Sequence, residues 1–261
     1  MNFKPLNLDN LINFSLFINT VCQLKCPYCY ARAIKKWNQI LSLHDCKVII
    51  NHLKHSKDFR ISILGGEPTL HRNLNQILSE LISLENCKEI EIFTNGLKLV
   101  SLPKSDKIKL FISYHGLYES TVKAYEFYSK SFKTMICVPD YYNSEKIINY
   151  IDRNKIDFHV QYIIDDEIKT PELVSSDDYD KFIFNDNIVT LDEIIKNEIS
   201  FRGWNCSMRY FLLEKNYILD ECNHTKIPYS EIENLHTLRV CEYDCCFKNG
   251  DFLLYNEKSL D

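Results

Sequence analysis

No run of eighteen apolar residues occurs anywhere in the 261-residue sequence, and its start, MNFKPLNLDN, lacks the basic segment and apolar stretch of a secretory signal. A membrane-spanning helix and a secretory route are therefore not expected, and the expected location is the cytoplasm. Basic runs are equally scarce. None exceeds a pair such as Lys35-Lys36, and the net charge is −5. A groove that follows phosphates needs a concentration of Lys and Arg, so no nucleic-acid partner is expected. Internal repeats and low-complexity linkers are also missing. With 45% hydrophobic and 26% charged residues the composition is that of a globular protein.

Against these absences stand eleven cysteines. Reducing compartments disfavour disulfides, and cysteines in such chains more often bind metal or perform chemistry. Their distribution is uneven. Cys22, Cys26 and Cys29 cluster near the N-terminus, and Cys206, Cys222, Cys241, Cys245 and Cys246 lie in the last quarter. Cys46 and Cys87 read as packing residues.

From residue 12 to about 163, short β-type runs alternate with helix-period stretches. The runs are INFSLFIN, FRISILGGEP, EIEIFTNG, KIKLFISYHG, FKTMICVPD and IDFHVQYII. Ser42 and Asp45 resemble a capping box ahead of Cys46, Ile49, Ile50 and Leu53 on one helical face, and Leu74, Ile77, Leu78, Leu81 and Ile82 form a second apolar stripe. Six strand-helix units predict an α/β fold built on a partial parallel (β/α)6 barrel. A polar, acidic stretch at 165–180 marks the expected boundary between a barrel at 1–180 and a small cysteine-rich extension at 181–261.

Such a barrel collects chemistry at the carboxyl ends of its strands, and the unusual residues fall there. Cys22 to Cys29 follow the first strand, Gly65-Gly66-Glu67 the second, Thr94-Asn95-Gly96 the third and Ser113 to Gly116 the fourth. Three thiols at CxxxCxxC spacing can converge on one small cluster. They are one ligand short of a closed tetrahedral zinc site, whereas a four-iron cluster held by three cysteines leaves one iron open to an outside ligand. A zinc site and three core cysteines are the plainer alternatives.

At these residues the sequence resembles the radical S-adenosylmethionine (SAM) family, over roughly residues 12–165. The loop Cys22-x3-Cys26-x2-Cys29 with Tyr28 before its last cysteine resembles the family signature, and Gly65-Gly66-Glu67-Pro68 resembles its GGE motif. The resemblance implies a 4Fe-4S cluster and SAM as cofactors, a 5'-deoxyadenosyl radical that takes hydrogen from a substrate, and a one-electron reductant such as flavodoxin or ferredoxin. It implies that Gly65, Gly66 and Glu67 belong to the SAM site, with the Gly66 backbone and Glu67 fixing the ammonium, that Tyr28 flanks adenine, and that Thr94, Asn95 and Ser113 face ribose or carboxylate. His115, Gln161 and Tyr162 lie near the expected mouth as further contacts, with a rim or core role as the alternative. Cys137, in the fifth strand, is the candidate hydrogen-atom donor, by likeness to radical epimerases; a buried free thiol is the alternative.

In the tail, Cys206 and Cys222 flank a hairpin-like YFLLEKNYIL, and VCEYDCC adds Cys241, Cys245 and Cys246. Four of these five could close a second site with no open position, iron-sulfur or zinc, with unligated core cysteines as the remaining alternative. The tail resembles the SPASM and twitch extensions of radical SAM enzymes, with ligands for one auxiliary 4Fe-4S cluster. The expected function is radical SAM modification of a ribosomally made peptide. Chemistry of the same kind on a small metabolite is the alternative, and a non-catalytic iron-sulfur or zinc protein is the rival class.

Overall fold

A computed structural model describes residues 11–26, 29, 40–139, 145–161, 181–184, 187–190, 205–206, 210–220, 225–235 and 239–240. Six strands lie in chain order in one sheet, each parallel to the next: β1 (Ile12–Asn19), β2 (Phe59–Gly65), β3 (Cys87–Thr94), β4 (Ile108–Ser113), β5 (Lys133–Pro139) and β6 (Phe158–Gln161). These are the six runs expected from the sequence.

Parallel neighbours need long crossovers, and helices supply most of them. α1 (Leu43–Leu53) joins β1 to β2, α2 (Leu74–Ile82) β2 to β3, α3 (Tyr118–Tyr128) β4 to β5, and α4 (Glu145–Asn154) β5 to β6. Ser42 caps α1 by accepting from the Asp45 N–H at 3.1 Å and donating to its carboxylate at 2.8 Å, a bond set worth about 1 kcal/mol. One expected unit differs. Residues 95–107, between β3 and β4, contain no helix, because Asn95 and Gly96 turn the chain at once and no apolar stripe follows.

The alternation of each strand sends its aliphatic residues to the helix side. Phe14, Leu16, Ile61, Ile63, Ile90, Ile92, Leu110 and Ile112 pack there with Ile49 and Leu53 of α1, Ile77 and Leu81 of α2, and Ala124 of α3. Ile136 and Val138 meet Ile147 and Ile151 of α4 on the same side. Helices on one face and strands in sequential order describe an open, singly wound sheet; a doubly wound sheet carries helices on both faces. This arrangement matches the expected partial barrel.

The other face starts with charge. Arg60 Nε lies 3.0 Å from Glu89 and 3.5 Å from Glu91, Lys109 also pairs with Glu89, and Ser62 donates to Glu91 at 2.6 Å. Farther along the strands Phe93 stacks on Phe111, centroids 4.6 Å apart. Burial pushes the Glu91 carboxyl up to about 7, against the pull of Arg60 and the Ser62 hydroxyl. A Glu whose native pKa is raised binds its proton more tightly when folded, so its contribution favours folding at low pH and fades as pH climbs from about 4.5 to 7. Urea unfolding of Glu91→Gln beside the wild type should show the variant gaining relative stability over that window, on the order of 1–3 kcal/mol. A pH-independent difference would mean that Glu91 stays charged throughout.

The C-terminal part is partly continuous with this sheet. β10 (Tyr210–Leu213) pairs in parallel with β1, and β11 (Ile218–Asp220) and β12 (Thr225–Ile227) follow antiparallel, which extends the sheet to nine strands. The expected YFLLEKNYIL hairpin is therefore present, closed by Glu214 N–H to Tyr217 O at 3.0 Å. Tyr229, Ile232 and Leu235 join the main core, and Tyr229 stacks on His52 at 4.4 Å. Separate two-stranded pairs are β7 (Lys181–Phe184) with β8 (Asn187–Thr190), and β9 (Asn205–Cys206) with β13 (Arg239–Val240). The expected boundary stretch at 165–180 lies outside the described residues. Among them, no helix is long and apolar enough to cross a membrane.

Candidate functional site

β1 ends at Asn19, and the chain returns to it at Ile40 through an antiparallel bridge, with Leu41 N–H donating to Ile18 O at 3.0 Å. The excursion between these points carries Cys22, Cys26 and Cys29, all half-buried and none in a disulfide. His71 holds the return, its Nε2 2.9 Å from Leu41 O.

Gly65 and Gly66 dock the start of this excursion on the end of β2. Gly66 N–H donates to Asn19 O at 2.9 Å and Glu67 N–H to Val21 O at 2.8 Å. A Cβ on Gly65 would stand 2.5 Å from Asn19 O, and one on Gly66 2.5 Å from Val21 O and 2.7 Å from Thr20 O. The glycine pair is thus required by the backbone of the cysteine loop itself, a close approach that a side chain would block.

Glu67 is 1% exposed. One carboxylate oxygen accepts from Thr69 N–H at 3.0 Å, Thr69 Oγ1 at 2.7 Å and Thr94 Oγ1 at 2.7 Å; the other accepts from Asn95 N–H at 2.7 Å. These bonds give the side chain a structural task beside the ammonium contact expected from the sequence. It ties β2 to β3, with the Thr94 hydroxyl turned to it as a donor.

Asn95 carries the connection back to the thiols. Its Nδ2 lies 3.6 Å from Cys22 Sγ and 3.2 Å from Gln23 Oε1, while its Oδ1 accepts from Leu97 N–H at 2.9 Å. Cys22 Sγ also accepts from Leu24 N–H at 3.3 Å. Burial raises the Cys22 thiol above its ordinary value, with the nearby Glu67 charge adding to the effect. From the end of β4, His115 Nδ1 comes within 3.5 Å of Cys26 Sγ, and burial lowers its imidazole to about 4. Three successive strand ends therefore contact one loop of thiols.

Ser113 and Cys137 are register partners on β4 and β5, on the face away from the helices, with Cys137 2% exposed. Gln161 closes β6. Burial pushes Cys46 and Cys87 up to about 12, as inert packing thiols require. Cys206 lies in β9, opposite Arg239 of β13, two residues before Cys241 in the sequence. Tyr28, Tyr162, Cys222, Cys241, Cys245 and Cys246 lie outside the described residues. Sequence reasoning overlooked Asn19, Thr69, His71 and Gln23. Only Thr69 had a local signal, an acceptor two residues upstream at the cap of the short helical turn Pro68–Leu70.

Among the described residues, no three His, Cys, Asp or Glu side chains are gathered tightly enough to hold a single metal ion. Thiolates round one tetrahedral zinc lie roughly 3.8 Å apart, from a Zn–S bond of about 2.3 Å. A four-iron cubane is larger than an ion and spreads its cysteines wider. The donor set, three thiols on one loop with two N–H groups directed at the Cys22 sulfur and a ring nitrogen of His115 beside that of Cys26, suits such a cluster.

Comparison with known proteins agrees with this geometry. Residues 16–119 match the model of the Radical SAM superfamily. A "Probable GTP 3',8-cyclase" of Saccharolobus islandicus (strain Y.N.15.51 / Yellowstone #2) is 28% identical over 117 residues, 43% of this chain and 38% of that protein. The match thus spans well under half of that relative's length. Among solved structures, Streptococcus suis SuiB bound to precursor peptide SuiA aligns with a TM-score of 0.51 and 24% identity, over 59% of this chain and 39% of SuiB. Native anSMEcpe with bound AdoMet and Cp18Cys peptide aligns with a TM-score of 0.56 and 16% identity, over 82% of this chain and 74% of that one. These two likenesses concern the fold. The stretch from within β1 to the first turn of α3, which holds the three-cysteine loop and the ends of β2, β3 and β4, carries the sequence pattern of the Radical SAM superfamily domain.

Proposed function

We propose that this chain is a radical SAM enzyme whose cluster is held by Cys22, Cys26 and Cys29. The observation that carries the reading is the convergence of three strand ends on that loop: Gly66 and Glu67 on its backbone, Asn95 on Cys22 and His115 on Cys26. A purely structural thiol loop has no need of this arrangement. When bound, a reduced 4Fe-4S cluster and SAM together supply a one-electron cleavage to methionine and a 5'-deoxyadenosyl radical, which removes hydrogen from a substrate.

The chain's own residues then have separable tasks. Gly65, Gly66 and Glu67 fix the loop, and the ammonium contact falls to this same turn. Ser113, at the end of β4, and Tyr28, between the second and third cysteines of the loop sequence, are the further SAM contacts of this reading. Cys137, the register partner of Ser113, is in this reading the donor that returns a hydrogen atom to a substrate radical. The stacked Phe93–Phe111 pair lies one step earlier on the same face of β3 and β4.

The substrate we favour is a ribosomally made peptide, supported by the SuiB–SuiA likeness in fold. A small metabolite is the second reading, favoured by the curated relatives named as GTP 3',8-cyclases. The tail cysteines Cys206, Cys222, Cys241 and one of Cys245 and Cys246 form, in this reading, a twitch-like auxiliary cluster site. Pairing of β9 with β13 supports it by bringing the chain at Cys206 beside the approach to Cys241. Flavodoxin or ferredoxin in the cytoplasm would supply the electron.

Anaerobically reconstituted protein given dithionite and SAM should release 5'-deoxyadenosine, and Cys26→Ala should release none. Iron should approach eight per chain, two four-iron clusters; about four would leave the tail with zinc or nothing. Wild-type protein that holds a cluster and yields no 5'-deoxyadenosine would favour the non-catalytic rival.

A further inference from the structure

We propose that His115 and Asn95 are positioning residues of the cluster, each donating a side-chain N–H to a ligand sulfur, and that they raise the potential at which the cluster accepts its electron. The inference rests on the reading that Cys22, Cys26 and Cys29 hold that cluster. Its geometry is independent of SAM: His115 Nδ1 lies 3.5 Å from Cys26 Sγ and Asn95 Nδ2 3.6 Å from Cys22 Sγ, within the range of N–H···S contacts.

Both donors are held by the fold. Asn95 is 6% exposed, its backbone N–H bonded to Glu67 and its Oδ1 to Leu97 N–H, which turns the amide nitrogen toward the sulfur. His115 follows β4 by two residues, after Tyr114, which is buried and ties its N–H to Cys137 O at 2.8 Å. A neutral imidazole has one N–H, and a thiolate facing Nδ1 places the proton there. An added electron spreads negative charge onto the cluster sulfurs, so a fixed donor stabilises the reduced form more than the oxidised one. Contacts on two of the three ligands, from two different strands, make the effect additive around the cluster.

An EPR-monitored redox titration of the reconstituted full chain tests this. The relevant signal is the one that changes when SAM is added and is missing in Cys26→Ala. Its absence from wild-type protein would defeat the underlying reading, whatever His115 does. With the signal present, His115→Phe should lower the reduced-to-oxidised ratio at the wild-type midpoint about tenfold, 59 mV for one electron. His115→Asn, which keeps an N–H at the Nδ1 position, should titrate close to wild type. Equal midpoints for wild type and His115→Phe would overturn the proposal. If His115→Phe takes up no iron, pulsed EPR of wild type labelled with 15N-histidine decides. A 15N coupling at the SAM-sensitive signal that is lost in labelled His115→Asn supports it, and no such coupling overturns it.

Discussion

Glu67→Ala is expected to cost about 3–5 kcal/mol in urea unfolding, the usual scale for breaking a buried charged network. The variant strips an acceptor from four donors at once, two of them the buried backbone N–H groups of Thr69 and Asn95. Glu67→Gln should recover only part of the loss. Whichever way its amide turns, the nitrogen meets a donor, either the Asn95 N–H or the three-donor cluster of Thr69 and Thr94. Glu67→Asp is one methylene short of reaching both groups. Because Asn95 Nδ2 also reaches Cys22, iron uptake should fall along with stability. A carboxylate whose task was to bind an ammonium would behave differently: the urea midpoint would stay put and only SAM binding would weaken. That split decides between the two roles.

The Glu67 result bears on how much was legible in the sequence. The strands were, because Ile61, Ile63, Ile90, Ile92, Leu110 and Ile112 alternate cleanly and each run stops at a glycine or polar turn. So was the grouping of motifs at one end of the sheet, since parallel strands in sequence order can only bring their carboxyl ends together. What the sequence could not show is which donors face which acceptors. Glu67 beside two glycines reads equally well as a ligand and as a clasp between strands, and only the distances to Thr94 and Asn95 reveal the clasp. His115 was placed near the mouth by its position after β4, but its contact with Cys26 spans 89 residues and depends on how far the loop folds back. The β3–β4 connection was over-read as a helical unit by analogy with its neighbours. The parallel docking of β10 on β1 had no local signal at all, because edge pairing depends on which strand is left open after β2 has taken the other side.

Gly66→Ala is expected to be nearly as damaging as loss of Glu67, for a steric reason. The new methyl would sit 2.5 Å from Val21 O and 2.6 Å from Val21 C, and neither atom is the yielding tip of a side chain. The Val21 peptide must move, yet its oxygen accepts from Glu67 N–H at 2.8 Å and it directly precedes Cys22. Overpacking together with the lost bond should cost about 2–4 kcal/mol. The displacement carries Cys22 away from Asn95, so the reconstituted variant should hold less iron in its SAM-sensitive cluster than wild type. Thermal or urea unfolding of the apoprotein separates the two consequences, because the steric cost is present before any iron is added. If Gly66 were there to admit a cofactor, the alanine variant would fold and load iron normally and fail only at SAM. An unchanged apoprotein midpoint would therefore transfer Gly66 from the clasp to the ligand side of the site, and with it the explanation for the glycine pair.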